Sequence, residues 1–268
     1  MPSTARDWPA LRKWRDLHAL AGRYGHRHVP LEVGDYDDAG WREEVMPFGR
    51  FVDRHLGPPP PGGKRPPVGY LAQHHLFEQF PELLEDFGVP DYCEAGGGCQ
   101  KCNAWVGPAG TVTPLHFDSY DNLLTQICGY KYVKLYSQKD SKYREFVRPT
   151  HSSRPLVGPA LTTRPAVYRS KAPWTQQRTW PGAEEGAPAP PAPATAAGGA
   201  AGRLGAQGNI SLVDVDAPDH VNDEKFPLFK HAALQECLLG PGDMLYIPNR
   251  YWHHVRSLTT SISVNFLF

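Results

Sequence analysis

Residues 113–122 read TPLHFDSYDN, setting His116 and Asp118 two positions apart in an otherwise strand-like segment. Along an extended chain, positions i and i+2 share a face, so the imidazole and the carboxylate point the same way. They make two metal ligands that lack a third. Residues 247–258, IPNRYWHHVRSL, offer His253 and His254 just after another strand-like run, DMLYIP at 243–248. Two histidines and one carboxylate with open positions form the facial triad of non-haem Fe(II) oxygenases, and zinc would accept the same donors. Ligands so far apart in sequence share an ion easily only where a barrel closes their strands together.

Outward from this stretch, further short β segments appear: NLLTQIC (122–128), YKYVKLY (130–136), AALQECLL (232–239) and SISVNFLF (261–268), with turn signals between them. Upstream, apolar spacing predicts helices over 7–22, 41–56 and 75–87. Helices first and short strands later indicate an α+β domain built around a β-barrel or sandwich. Of residues 181–208, 22 of 28 are Pro, Ala or Gly, too little to bury against the entropy of ordering. The expected layout is one domain over 1–268. A helical support region covers 1–102, barrel strands cover 103–150 and 209–268, and 153–208 is a disordered insertion within the barrel rather than a linker.

Lysine plus arginine equals aspartate plus glutamate at 28 each, which argues against a nucleic-acid or membrane-surface binder. No secretory signal or membrane-length apolar run is seen, so a soluble protein of nucleus and/or cytoplasm is expected. The five cysteines fit a reducing compartment. Cys99 and Cys102 form a single CxxC pair, a weak signal for zinc or redox chemistry that reads more simply as reduced thiols in an exposed loop.

Asn122 and Lys131 follow the His-x-Asp pair, on the next strand and just past its hairpin. An inward lysine is costly unless an anion meets it, and a free dicarboxylate would do so. Iron with free positions beside a buried cation suits 2-oxoglutarate.

The runs NAWVGPAGTVTPLHFDSYDNLLTQICGYKYVKLY (103–136) and GPGDMLYIPNRYWHHVRSL (240–258) resemble the JmjC family of Fe(II)- and 2-oxoglutarate-dependent oxygenases. GYLAQHHLFEQFPELLEDFGVPDYC (69–93) and VPLEVG (29–34) resemble its small arginyl-hydroxylase branch. The resemblance implies a double-stranded β-helix, a jelly-roll or cupin-like barrel with N-terminal helices packed outside. It implies iron ligation by His116, Asp118 and His253, with His254 a neighbour. Lys131 would pair with the distal carboxylate of 2-oxoglutarate, Tyr70, Thr113 and Asn122 would hydrogen-bond the cosubstrate, and Asn265 would lie near it. Glu32, Gln73 and Trp105 would line a substrate pocket suited to a guanidinium. Fe(II), 2-oxoglutarate and O2 are the implied cofactor and cosubstrates, and no side chain beyond the metal centre is needed as a catalyst. The implied activity is hydroxylation of an arginyl side chain in a protein or peptide. Alternatives are a histone N-methyl-lysine demethylase with the same iron core, or a non-catalytic JmjC binding module.

Overall fold

The periodic run 7–22 divides into two helices, α1 (Ala10–Lys13) and α2 (Leu17–Tyr24). The break comes at Asp16, whose carboxylate accepts a hydrogen bond from the Ala19 N–H and so caps a new helix. Residues 41–56 depart further from expectation. Their first half is a strand, β2 (Arg42–Pro47), paired antiparallel with β1 (His28–Val33). Pro47 cannot lie inside a helix, so helix α3 (Phe48–Phe51) starts after it and continues in wider turns through Leu56. The run 75–87 is likewise split by Pro81, with α4 (Leu76–Gln79) before it and a 3-10 turn, Pro81–Asp86, after it. With β3 (Gly69–His74), these strands add a sheet extension to the helices expected across 1–102. Strand pairing overrode helical spacing there.

This is a computed structural model, and it describes residues 5–34, 40–57, 66–143, 166–168, 209–217, 222 and 224–268. Beyond β3 the strands are β4 (Lys101–Gly107), β5 (Val112–His116), β6 (Asn122–Cys128), β7 (Lys131–Tyr136), β8 (Ala166–Tyr168), β9 (Gln235–Leu239), β10 (Met244–Ile247), β11 (Trp252–Ser257) and β12 (Ser261–Leu267). They form two antiparallel sheets, one ordered β2-β1-β3-β4-β12-β6-β10-β8 and one ordered β5-β11-β7-β9. The result is a double-stranded β-helix, the jelly-roll sandwich expected. The proposed insertion 153–208 lies outside the described residues except for β8, which corrects the expectation at that point by pairing with β10. Three residues are too short a run to announce a strand.

Alternation along β12 separates the two faces of the large sheet. Ile262, Val264 and Phe266 point outward into an apolar layer under the helices, whereas Ser261, Ser263 and Asn265 point into the sandwich. The outer layer is aromatic: Phe266 lies 6.0 Å from Trp8 and 5.9 Å from Phe87 between ring centroids. Asp86 ties this layer down by accepting from the Trp14 indole N–H at 2.8 Å and from Lys13. Inside the sandwich, Leu124, Val133, Leu135, Leu245, Ile247 and Val255 fill one part and leave the rest polar. Among the described residues no helix is long and apolar enough to cross a membrane.

Phe266 is fully buried in the outer layer, so Phe266→Ala is expected to cost about 3–5 kcal/mol of stability. Urea unfolding followed by tryptophan fluorescence would read the loss, and an unchanged midpoint would contradict this account of the layer.

Candidate metal centre and cosubstrate pocket

Strand β11 lies between β5 and β7, and its register sets His253 directly opposite His116. The two imidazole rings are 4.1 Å apart between centroids. Asp118, just beyond the end of β5, brings its carboxylate to 4.0 Å from His116 Nε2 and 3.7 Å from His253 Nε2. One donor atom from each residue falls within 4.8 Å of the others, the one such group among the described residues.

Each imidazole folds back on the carbonyl two residues before it. His116 Nδ1 donates to the Pro114 carbonyl at 2.8 Å, and His253 Nδ1 donates to that of Tyr251 at 3.0 Å. These bonds fix the tautomer and leave both Nε2 lone pairs turned toward Asp118. Burial, and then the neighbouring His116, hold His253 well below the usual imidazole range, so it is neutral and ready to ligate. Arg250, in the left-handed region at φ 59°, turns its backbone N–H onto the Asp118 carbonyl at 2.8 Å and ties the two ligand-bearing segments together. This donor set fits a divalent cation.

Asn122 Nδ2 donates to Asp118 Oδ2 at 3.4 Å, Asn265 Nδ2 donates to Asn122 Oδ1 at 3.3 Å, and the Trp105 indole N–H donates to Asn265 Oδ1 at 3.0 Å. Trp105 also borders a second group. Lys131, only 1% exposed, has its Nζ 3.3 Å from the Tyr70 hydroxyl and 5.7 and 5.9 Å from the ring centroids of Tyr70 and Trp105. The Tyr70 hydroxyl shares a hydrogen bond with Thr113 and stays protonated, because burial raises it above the ordinary phenol range. Burial also pulls Lys131 down to about 7. A carboxylate arriving beside Nζ would relieve that cost, so the site fits one end of a dicarboxylate.

Glu32 on β1 stands opposite Tyr70 on β3 and, across the other edge, directly opposite Glu43 on β2. Burial first, and Glu43 second, push the Glu32 carboxyl up to about 7. Gln73, exposed and at φ 46°, sits in a β-bulge of β3 facing Trp105, a device that re-aims a side chain. Register relates Gln73 to Trp105, whereas Glu32 also acts on Tyr70 by its charge, adding to the rise that burial causes. Glu43 escaped the sequence reading because only the β1–β2 pairing reveals its position.

His254 faces the opposite side of β11 from His253, 3.1 Å from Asp216 Oδ2. Asp216 also binds Lys134 at 3.0 Å and Arg256, a cluster without a motif in the sequence. Burial alone would raise the Asp216 carboxyl, but His254 and Lys134 outweigh it and hold it far below the carboxylate range. Cys99 and Cys102 pack half-buried against the outer core rather than in an exposed loop, and burial raises both thiols. Low reactivity follows.

A jelly-roll sandwich carrying a His-x-Asp pair at the end of one strand and a distant histidine on the strand beside it has the architecture of a cupin-type domain. A family model of the cupin-like domain matches residues 3–268. Lysine-specific demethylase 8 of Xenopus tropicalis is 35% identical and that of Danio rerio 37%, each over 97% of this chain, and lysine-specific demethylase JMJ30 of Arabidopsis thaliana is 35% identical over 97%. The chain belongs to the cupin-like JmjC family. It spans about half the length of these curated relatives: 45%, 50% and 47% respectively. A solved structure of E. coli ycfD aligns with 94% of this chain and 44% of its own at 15% identity, but its TM-score of 0.41 is too low to argue from.

The Lys131 environment sets a pH dependence. Above pH 7 the free lysine is largely neutral, and a bound carboxylate raises its pKa, so binding takes up a proton. Affinity for 2-oxoglutarate should therefore fall with rising pH above 7, by up to about tenfold per unit. Calorimetry at pH 8, in the presence of Mn(II) and in buffers of differing ionisation enthalpy, reads the proton directly. Uptake should vanish in Lys131→Met, and its absence from the unaltered protein would refute the assignment.

Proposed function

We propose that this chain is the catalytic domain of an Fe(II)- and 2-oxoglutarate-dependent oxygenase that hydroxylates an arginyl side chain of a protein or peptide. The observation that carries the reading is the convergence of His116, Asp118 and His253 donor atoms within 4.8 Å, on strands far apart in sequence. When bound, Fe(II) with 2-oxoglutarate and O2 supplies the oxidation: the oxo acid becomes succinate and CO2, and one oxygen atom enters a substrate C–H bond. The two Nε2 atoms and the Asp118 carboxylate would hold the metal on one side and leave the other for cosubstrate and O2. Lys131, Tyr70 and Thr113 would hold the distal carboxylate by charge and hydrogen bonds. Asn122 and Asn265 would orient the groups next to the metal. The protein's part is positioning and exclusion of water, and no side chain serves as a general base.

Support for a guanidinium substrate comes from charge and shape. Glu32 and Glu43 oppose each other across β1 and β2, an arrangement that is unfavourable by itself and favourable around a cation. With the Gln73 amide and the Trp105 face they suit five N–H donors in a planar fork. A methylated ammonium presents few donors and is recognised chiefly by aromatic walls. The relatives' names include both demethylation and hydroxylation, in each case of lysine: lysine-specific demethylases, and a human bifunctional peptidase and (3S)-lysyl hydroxylase, JMJD7, 28% identical over 97% of this chain.

Mass spectrometry of basic peptides after aerobic incubation with the protein, Fe(II) and 2-oxoglutarate tests the reading. Gain of one oxygen on arginine supports it. Release of formaldehyde from methyl-lysine peptides would replace it with a demethylase, and no turnover by metal-loaded protein across the library would leave a binding module. Asp118→Ala is expected to abolish turnover while leaving the fold intact. Glu32→Gln should raise the peptide KM by about tenfold or more, the scale of one hydrogen bond to a charged group, with a smaller change in kcat.

A further inference from the structure

We propose that Trp105, Asn265 and Asn122 form a directed hydrogen-bond relay that positions the Asp118 carboxylate, so that the pocket wall and the metal's carboxylate ligand are set together. The inference rests on reading His116, Asp118 and His253 as a metal site. Its polarity follows from its ends. An indole N–H can only donate, and an ionised carboxylate can only accept. With Trp105 donating to Asn265 Oδ1 at 3.0 Å, the Asn265 amide must present its nitrogen to Asn122, as it does at 3.3 Å. Asn122 then presents its own nitrogen to Asp118 Oδ2 at 3.4 Å. Reversing either amide would set donor against donor or acceptor against acceptor.

Three adjacent strands, β4, β12 and β6, supply the three relay residues, with β12 in the middle. Val264 and Phe266, flanking Asn265, are locked in the outer aromatic layer, which fixes the backbone from which the amide projects. Both asparagines are buried, Asn122 at 4% exposure and Asn265 at 3%, so water competes little for their amides. In such surroundings chained hydrogen bonds polarise one another in the same sense. Asn103, directly opposite Asn265 on β4, could have competed for its amide, yet neither of its own amide atoms has a partner. The relay reaches Asp118 through Oδ2, the oxygen 3.7 Å from His253 Nε2, while Oδ1, 4.0 Å from His116 Nε2, has no hydrogen bond among the described residues, so the tether sets the whole carboxylate plane between the two imidazoles. Trp105 stands at the far end, where its ring borders Lys131 and Tyr70.

Titration of the full chain with Mn(II) alone, read by the electron paramagnetic resonance of free Mn(II), tests this without turnover. Asn265→Ala breaks the middle link and should weaken Mn(II) binding about tenfold, the usual effect of removing a partner of a metal ligand. Trp105→Phe keeps a ring and removes only the donor, and should weaken binding about threefold, being one link further from the ligand. Because the links act in series, the double variant should bind no more weakly than Asn265→Ala alone. Thermal unfolding checks folding; if Asn265→Ala does not fold, Trp105→Phe decides by itself. Wild-type affinity in the folded single variants, or a double variant that shows the product of both losses, would overturn the relay. Failure of the unaltered protein to bind Mn(II), or unchanged binding by Asp118→Ala, would overturn the metal site itself.

Discussion

The antiparallel pairing of β5 with β11 is the constraint on which the site depends. Neither strand carries a complete donor set, and only their register brings His116 across from His253. A slip of one residue would turn His253 outward and bring His254, now on the far face with Asp216, to the inside. Several contacts hold the register. β11 is paired on both sides, with β5 and with β7. The Arg250 N–H on the Asp118 carbonyl locks the segments just outside the strands. Each imidazole is then aimed by the backbone carbonyl two residues before it, so no side chain from elsewhere is needed to orient it.

The large sheet solves a related problem, that of keeping polar side chains inside a protein without letting them find alternative arrangements. Its outer face is fastened by a layer of aromatic rings in which Trp8, Phe87 and Phe266 meet edge-on or tilted. On its inner face, alternation leaves asparagine and serine side chains whose freedom is limited by that fastening. Lys131 carries the opposite burden, since its ammonium is almost wholly removed from water with one hydroxyl and two ring faces for company. An amine kept in such a place lowers the stability of the unliganded protein, a deficit that a bound anion would recover.

The jelly-roll core was legible because its short strands are bounded by turn signals and carry β-forming residues, with clean alternation in SISVNFLF and a nearly all-buried run in NLLTQIC. The His-x-Asp spacing and the distant histidine were legible for the same reason: chemistry of that kind interrupts an apolar pattern. The first hundred residues misled because two periodicities overlap there. Residues 41–56 show helical spacing, yet the segment 42–47 finds a partner in β1, and pairing outweighs a weak propensity. No local signal could have shown that Glu43 faces Glu32, or that Asp216 draws in Lys134, His254 and Arg256. Those are consequences of register and of chain return, which only the assembled structure contains.

The chain's return at residues 209–217 bears on how this domain can change over evolutionary time. The Asn209 carbonyl accepts from the Phe117 N–H while its side chain donates to the Phe117 carbonyl, Ser211 N–H donates to Leu115, and Ile210 bridges His116, so the outer edge of β5 is covered. Asp216 then staples the same segment to β7 and β11. Chain length added or lost between 168 and 209 meets this double fastening before it reaches a donor atom. Such a seam would let that stretch vary in length without displacing His116 or Asp118.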